Sequence, residues 1–287
     1  GYCGVTTPLP QSELARVEPK ISLFTKLFSA LVVTRAPFLS ASIFPVLIAG
    51  AYVAQRAEFS WPAFLLALVG AASVHIAANT WNDMYDWQSG ADKINHDYFL
   101  PYSGGSRAIE LGLITERGLM KIALGAIAVA FACGLGIAAL GSPVVLPLGL
   151  LGALAAWTYT APPLRLIARR GLGELLIGVA FGPLLSVGAV AAVTGSIDPI
   201  AALLGIPVGL LTTAILWINE FPDAPSDALA GKTHLVVTIG TSAARWGYVA
   251  LIAVAFGTLA ALVALGALAP TALLALLTLP LALRSTY

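Results

Sequence analysis

Charge is scarce in this sequence. Only 10% of its 287 residues are Asp, Glu, Lys or Arg, whereas about 25% is usual in soluble domains, whose surface is covered by polar groups. Apolar residues make up 59% of the chain, and the mean hydropathy is +0.90. This composition excludes a soluble globular domain and an intrinsically disordered chain, and it predicts an integral membrane protein made of helices.

Cysteine and clustered basic residues are lacking as well. The two cysteines, Cys3 and Cys133, are too few for a disulfide framework, and no Cys and His spacing typical of zinc sites is present. The formal net charge is +1 and no basic stripe exists, so nucleic acid is not an expected partner. Residues 1–20 lack the apolar core of a secretory signal.

Long apolar runs, by contrast, are abundant. A helix needs about 20 apolar residues to cross the hydrocarbon layer of a membrane. Eight runs approach this length and predict an all-α, polytopic transmembrane bundle with spans at residues 36–55, 62–82, 118–140, 143–160, 172–195, 199–219, 244–266 and 268–284. They form one predicted membrane domain, residues 35–287, which follows an N-terminal segment at residues 1–34.

The charges are distributed unequally over the predicted connections. The long polar connections, residues 83–117, 161–171 and 220–243, fall on one side of the membrane together with the N-terminal segment. Of the 15 basic residues, all except Arg56 lie on that side. The excess of basic residues predicts that this side is cytoplasmic. Acidic residues do not set topology, so their concentration on the same side requires another explanation.

Two acidic clusters with the same spacing close the second and sixth predicted spans. In each, an Asn is followed four residues later by an Asp, and this spacing places both side chains on one helix face. The members are Asn79, Asp83 and Asp86 in the first cluster and Asn219, Asp223 and Asp227 in the second. Carboxylates at a helix C-terminus face the negative end of the helix dipole, so a cation is expected beside them.

Magnesium is the cation that this chemistry favours. Carboxylate and amide oxygens are ligands of hard divalent ions, and Mg²⁺ usually binds through one or two carboxylates together with substrate phosphates. Two clusters therefore predict two or more Mg²⁺ ions that hold one diphosphate, and Mn²⁺ is expected to substitute. For a lone Asp, a water-facing loop is the ordinary interpretation, but two matched clusters favour the cation site. Glu174 is interpreted as a structural residue at a helix start, and no role is assigned to His234.

These residues resemble those of the UbiA superfamily of intramembrane prenyltransferases. The resemblance covers most of the chain from Arg35 onward. It depends on the two Asp-rich motifs, which end in Gly90-Ala-Asp92 and Gly231-Lys232, and on the segments Ser103–Arg107, Tyr159–Pro163 and Gly171–Glu174. The form of both motifs looks most like that of the enzymes that prenylate 1,4-dihydroxy-2-naphthoate in menaquinone synthesis.

The resemblance implies nine helices around a central cavity, so the eight spans predict that the last family helix is missing or truncated in this sequence. It also implies the site. Magnesium and diphosphate would be bound by Asp83, Asp86, Asp92, Asp223 and Asp227 with Asn79 and Asn219. Diphosphate would also contact Arg35, Arg107, Lys232 and Arg165, and Tyr159 would lie near the reacting allylic carbon.

The expected partners are a prenyl diphosphate, an aromatic acceptor and the lipid bilayer. Three alternatives remain open at this stage. A membrane terpene cyclase would use the same metal site without an acceptor, and a related prenyltransferase would use another aromatic acceptor. A secondary transporter would also contain carboxylates within a bundle of broken helices. Glu220-Phe-Pro222 stands where a basic residue is expected in the naphthoate enzymes, which puts the acceptor in question more than the diphosphate site.

Overall fold

The computed structural model describes residues 29–56, 58–90 and 105–284. Its α-helices follow one another along the chain. They are α1 (Ser40–Ala54), α2 (Trp61–Ser89), α3 (Glu116–Ala139), α4 (Val145–Thr160), α5 (Leu172–Val179), α6 (Leu185–Thr194), α7 (Pro199–Leu229), α8 (Leu235–Ile239), α9 (Thr241–Ala264) and α10 (Leu279–Arg284). Short 3₁₀ segments precede α1 and α10, and a π-helical turn, Ala180–Leu184, joins α5 to α6.

The predicted all-helical membrane bundle is confirmed. Within the described residues, six helical stretches are long and apolar enough to cross a membrane, and their ranges are Ala36–Ala54, Trp61–Ser89, Glu116–Ala139, Leu172–Thr194, Pro199–Leu229 and Thr241–Ala264. The other two predicted spans correspond to shorter apolar helices, Val145–Thr160 and Pro270–Ala282. Large apolar side chains such as Phe44, Phe131 and Leu175 are exposed on the outside of the bundle, as expected for a surface that faces lipid.

Side chains next to the helix starts define several of these elements. Ser60 accepts a hydrogen bond from the Ala63 N–H at the start of α2, and Thr115 does the same for Gly118 at the start of α3. Asp198 accepts from the Ile200 N–H at the start of α7, where Pro199 occupies the first helical position. Such caps satisfy N–H groups that have no partner inside the helix.

Close backbone packing fixes α7 against the π-helical turn. A Cβ atom added to Gly205 would lie 2.5 Å from the carbonyl carbon of Gly182, and one added to Gly209 would lie 2.1 Å from the oxygen of Gly178. Only glycine permits this approach, because any side chain would collide with the backbone of the neighbouring helix. The contact holds the middle of α7 close to α5 and α6.

The two ends of the bundle differ in character. Helix α1 begins five residues after Arg35 and carries Tyr52 in its last turn. The Tyr52 hydroxyl donates a 2.7 Å hydrogen bond to Asp198. The guanidinium of Arg56 lies over the Tyr52 ring, 4.3 Å from its centroid. Tyr52 therefore contacts both Asp198 and Arg56 at the end of the bundle that carries the short connections. The long connections, with both acidic clusters, lie at the other end of α1.

Candidate active site

The first acidic cluster lies on the last three turns of α2. The apolar run predicts that the span ends at residue 82, but the helix continues to Ser89, so Asp86 lies on the same helix as Asn79 and Asp83. Asp83 is buried, with 4% of its surface exposed. The Asn82 amide, which the sequence interpretation did not select, donates a 3.3 Å hydrogen bond to Asp86 Oδ2. In the sequence, the position of Asn82 directly before Asp83 could have identified it as a member of the site.

Arg35 lies against this cluster. Its Nη2 donates a 2.9 Å hydrogen bond to Asn82 Oδ1 and forms an ion pair with Asp83. The backbone N–H of Ser106 also donates to Asp83 Oδ1, at 3.1 Å. Gly105 is required beside them: it has φ +72°, and a Cβ there would lie 2.9 Å from Arg35 Nη2 and 3.0 Å from Asp83 Oδ1. The Ser106 N–H thus faces Asp83.

The second acidic cluster lies on the last three turns of α7. This helix continues to Leu229, beyond the predicted end at residue 219. Asn219, Asp223 and Asp227 occupy successive turns, as the spacing of four predicted. Asp223 and Asp227 are partly buried, and Pro222 and Pro225 lie within the same stretch of helix.

Lys232 joins the two clusters. Its Nζ atom lies 3.2 Å from Asp86 Oδ1 and 3.1 Å from Asp227 Oδ1, and the residue is only 5% exposed. Burial lowers the pKa of Lys232, but the carboxylates of Asp86 and Asp227 outweigh burial and raise that pKa above its ordinary value. Lys232 is therefore a fixed positive charge between two carboxylates that come from different helices.

The remaining predicted residues lie near this centre or outside the described chain. Asn79 donates from Nδ2 to the carbonyl of Thr34, 3.1 Å away, and so holds the segment that carries Arg35. Arg107 pairs with Glu110 at 2.6 Å. Arg165 opens the short 3₁₀ segment after α4. Asp92 lies outside the described residues.

Three arginines selected from the sequence share an unusual backbone conformation. Arg35, Arg107 and Arg165 have φ values of 50°, 54° and 41°. Residues other than glycine rarely adopt this left-handed region, and such residues concentrate at functional sites. Arg35 and Arg165 each precede a short 3₁₀ segment, and Arg107 follows Ser106, which contacts Asp83 of the first cluster.

An apolar cavity lies next to the acidic clusters. Its volume is about 610 Å³, and side chains of α1 to α6 line it. Tyr159 and His75 are among its few polar lining residues. His75 Nδ1 is hydrogen bonded to the Ser42 hydroxyl at 2.7 Å, so this histidine has a partner within the bundle. Phe131 and Leu150 also line the cavity and are exposed on the lipid-facing surface, so the cavity reaches the side of the bundle.

Tyr159 connects the cavity with the charged end. It lies on the last turn of α4 and is within electrostatic reach of Glu220, Glu174, Asp86 and Arg35. The neighbouring cavity residue on α2, Ala78, is one turn from Asn82. The acidic clusters and Lys232 therefore lie beside the polar end of the apolar cavity.

The donor set suits a hard divalent cation. Asp83 Oδ2 is inaccessible to solvent and makes no hydrogen bond within the part of the chain that the structure describes. Buried carboxylate oxygens normally have a partner, and an orphaned one indicates a ligand. Oxygen atoms from several carboxylates and amides are the donors that Mg²⁺ prefers. The residues of the two clusters thus fit such an ion.

Glu174, Glu220 and His234 form a further buried group, which the sequence interpretation missed. His234 is not a free loop residue: it is 1% exposed, and its Nε2 lies 3.2 Å from Asp227 Oδ2. Its Nδ1 lies 3.5 Å from Glu220 Oε2. Glu174 Oε1 accepts a 2.7 Å hydrogen bond from the Leu235 N–H, so this acid binds the following segment as well as beginning α5.

Comparisons with known proteins agree with this geometry. Residues 42–287 match the model of the UbiA prenyltransferase family. The 1,4-dihydroxy-2-naphthoate octaprenyltransferases of Mycobacterium tuberculosis and Bacillus subtilis are 31% and 28% identical to this chain. The first alignment covers 82% of this chain and 77% of the relative, and the second covers 86% and 77%. A UbiA homolog from Archaeoglobus fulgidus, solved with DMAPP and Mg²⁺, has a similar fold with a TM-score of 0.68 and 18% identity over 89% of this chain and 85% of that one.

Proposed function

Since the chain belongs to the UbiA prenyltransferase family, and is therefore an integral, multi-pass membrane prenyltransferase, we propose that it uses an allylic polyprenyl diphosphate and 1,4-dihydroxy-2-naphthoate. The products would be the prenylated naphthoquinol of menaquinone biosynthesis, pyrophosphate and CO₂. The observation that carries this proposal is the joining of two acidic clusters by Lys232 beside an apolar cavity. The names of the two relatives support the choice of acceptor.

The proposed cofactor is Mg²⁺, in two or more ions, with Mn²⁺ as a substitute. The orphaned Asp83 Oδ2 supports a cation beside the first cluster, and the homolog from Archaeoglobus fulgidus contains Mg²⁺. Bound Mg²⁺ would supply positive charge to the diphosphate as it leaves. The proposed ligands are Asp83, Asp86, Asp223 and Asp227, with Asn79, Asn219 and Asp92.

Positive side chains are proposed to bind the diphosphate directly. Lys232 and Arg35 are already held by carboxylates of the clusters, so their charges are fixed before a substrate arrives. Donors placed in advance stabilise developing charge without reorganisation, which is where most of the rate gain of such sites arises. Arg107 and Arg165 are proposed as further contacts from the adjoining connections.

The prenyl tail is proposed to occupy the apolar cavity. Its opening between lipid-facing residues would admit a long chain from the bilayer, and its walls would exclude bulk water from the allylic carbon. Breaking the C–O bond to the diphosphate leaves an allylic cation. Tyr159, between the cavity and the charged end, would face this cation with its π-electrons.

The acceptor would then form the new C–C bond. A phenol hydroxyl of the naphthoate loses a proton, the ring carbon that bears the carboxylate attacks the allylic carbon, and that carboxylate departs as CO₂. We propose Asp86 or Asp227 as the group that takes this proton, which then returns to the phenolate oxygen that forms when CO₂ departs. We further propose that this end of the bundle faces the cytoplasm, because the topology predicted from the sequence assigns nearly all basic residues to it.

The test is a product assay with the purified protein in detergent. An all-trans polyprenyl diphosphate is supplied with and without 1,4-dihydroxy-2-naphthoate, and pyrophosphate and product mass are measured. The expected result is a prenylated naphthoquinol that forms only when both substrates are present. A hydrocarbon or terpene alcohol formed without acceptor would replace the proposal with cyclisation. Absence of pyrophosphate release from any prenyl diphosphate would overturn it.

A further inference from the structure

A second group of ligand-type side chains lies behind the acidic clusters. Glu174 comes from the start of α5, Glu220 from α7, and His234 from the connection before α8. One atom of each, a carboxylate oxygen or a ring nitrogen, lies within 4.8 Å of the others. The three residues are 4%, 6% and 1% exposed. None of them belongs to the proposed Mg²⁺ ligands.

Each of these side chains directs an unpartnered atom into the group. Glu174 Oε2, Glu220 Oε2 and His234 Nδ1 are inaccessible to solvent and make no hydrogen bond to any described residue. The opposite atom of two of them is fixed: Glu174 Oε1 accepts from the Leu235 N–H, and His234 Nε2 is bonded to Asp227. Two carboxyl groups buried together are both charged only if a positive ion lies between them, because burial and mutual repulsion otherwise favour the neutral form of one.

The histidine geometry is typical of a metal ligand. A metal-bound imidazole usually donates its other N–H to a carboxylate, which fixes the ring orientation; the contact from His234 Nε2 to Asp227 corresponds to this. His234 Nδ1 and Glu220 Oε2 are 3.5 Å apart, longer than the common hydrogen-bond length of about 2.9 Å. Two ligands of one tetrahedral ion, with bonds of about 2.0–2.2 Å, lie roughly 3.4 Å apart.

We propose that Glu174, Glu220 and His234 bind one divalent transition-metal ion of the Zn²⁺ class. One imidazole and two carboxylates favour such an ion over Mg²⁺, which prefers oxygen ligands throughout. The ion would tie α5 and α7 to the connection that carries Lys232, and through His234 it would fix the orientation of Asp227. Its role would be to position these residues, and the proposal does not depend on the identity of either substrate.

Zinc content of the purified full chain tests this site. The protein in detergent is stripped with a chelator, incubated with Zn²⁺ in the presence of excess Mg²⁺, desalted and analysed by mass spectrometry of metals. We expect about one Zn²⁺ per chain in the wild type. Glu174→Gln and Glu220→Gln should each lose it, although glutamine keeps the side-chain size and a carbonyl acceptor. The control Glu58→Gln, at an exposed carboxylate in the connection before α2, should retain it.

A second set of measurements separates this site from the diphosphate site. Asp83→Asn should keep its Zn²⁺ while it loses turnover, and Zn²⁺ should raise the melting temperature of wild type and Asp83→Asn but not of Glu174→Gln. X-ray absorption of the wild-type zinc should show one imidazole ligand. The proposal is overturned if the wild type retains no zinc, if the Glu variants retain it, if Asp83→Asn loses it, or if the absorption spectrum contains no imidazole.

Discussion

Replacing Lys232 by methionine is expected to destabilise the protein in a way that depends on magnesium. Methionine matches the length and apolar stem of lysine but carries no charge. The change leaves the carboxylates of Asp86 and Asp227, at 3.2 and 3.1 Å from the former ammonium, without their shared cation. Both side chains are mostly buried, with 15% and 14% exposed, so water compensates them only in part.

The magnitude follows from the burial of the ion pairs. Removing one partner of a buried pair typically costs about 3–5 kcal/mol, and the partial exposure of the two carboxylates places this case near the lower end. A loss of about 3 kcal/mol corresponds to a fall of roughly 6–12 °C in melting temperature for a chain of this size. The variant leaves both carboxylates free for Mg²⁺, so an ion that binds the variant about 100 times more tightly than the wild type would stabilise the variant by about 2.7 kcal/mol more. Saturating Mg²⁺ should therefore offset most of the loss.

The assay is thermal unfolding in detergent, followed by tryptophan fluorescence with EDTA or with Mg²⁺. Lys232→Met should melt well below the wild type in EDTA and only a few degrees below it in Mg²⁺, and its turnover should fall by about 10²–10³. The matched control is Lys121→Met, at an exposed lysine on α3, which should behave as wild type in both conditions. A deficit of equal size with and without Mg²⁺ would refute the reasoning, because it would mean that Asp86 and Asp227 do not bind the ion.

Three further predictions concern the same site. Asp83→Asn and Asp223→Asn should each lower pyrophosphate release by at least about 10² while both variants remain folded; near-normal turnover in either variant would contradict the proposed ligands. Removal of divalent cations with EDTA should stop turnover and Mg²⁺ should restore it, and activity that persists in EDTA would exclude the scheme. Gly152 lines the cavity with open space around its Cα and is about 10 Å deeper than Tyr159 along α4. Gly152→Leu should therefore lower kcat/KM by about tenfold or more for long prenyl donors but not for a five-carbon donor; an equal effect on both would place the tail elsewhere.

Much of the fold and of the charged site can be predicted from local patterns. Apolar runs define helices because a membrane-spanning segment has to satisfy its own backbone hydrogen bonds. The Asn-to-Asp spacing of four identifies one face of a helix. The ends of α2 and α7 could not be predicted from hydropathy. Hydropathy falls at residues 82 and 219, whereas the helices continue for two turns or more. Helical hydrogen bonding can extend past the apolar run, so hydropathy alone marks these helix ends too early.

Contacts between distant segments could not be predicted in the same way. The Leu235 N–H and Glu174 Oε1 are separated by 61 residues, and no local periodicity relates them. Glu174 fits the pattern of a helix-start acid, and His234 fits that of a polar connection, so each has an adequate local interpretation. Their burial against Glu220 is a consequence of how α5, α7 and the intervening connection pack, which only the tertiary structure reveals.

The left-handed backbone at Arg35, Arg107 and Arg165 has a consequence for protein engineering. Glycine adopts this conformation without the cost of about 1–2 kcal/mol that a side chain incurs. A screen that selects variants for heat resistance alone would therefore favour Arg→Gly at Arg165, whereas at Arg35 and Arg107 the lost ion pairs with Asp83 and Glu110 would offset the gain. Each such variant would lose a guanidinium that we propose binds the diphosphate. Thermostable variants of this protein should accordingly be selected with an activity filter, because the substitutions that relieve backbone strain most easily are those that inactivate it.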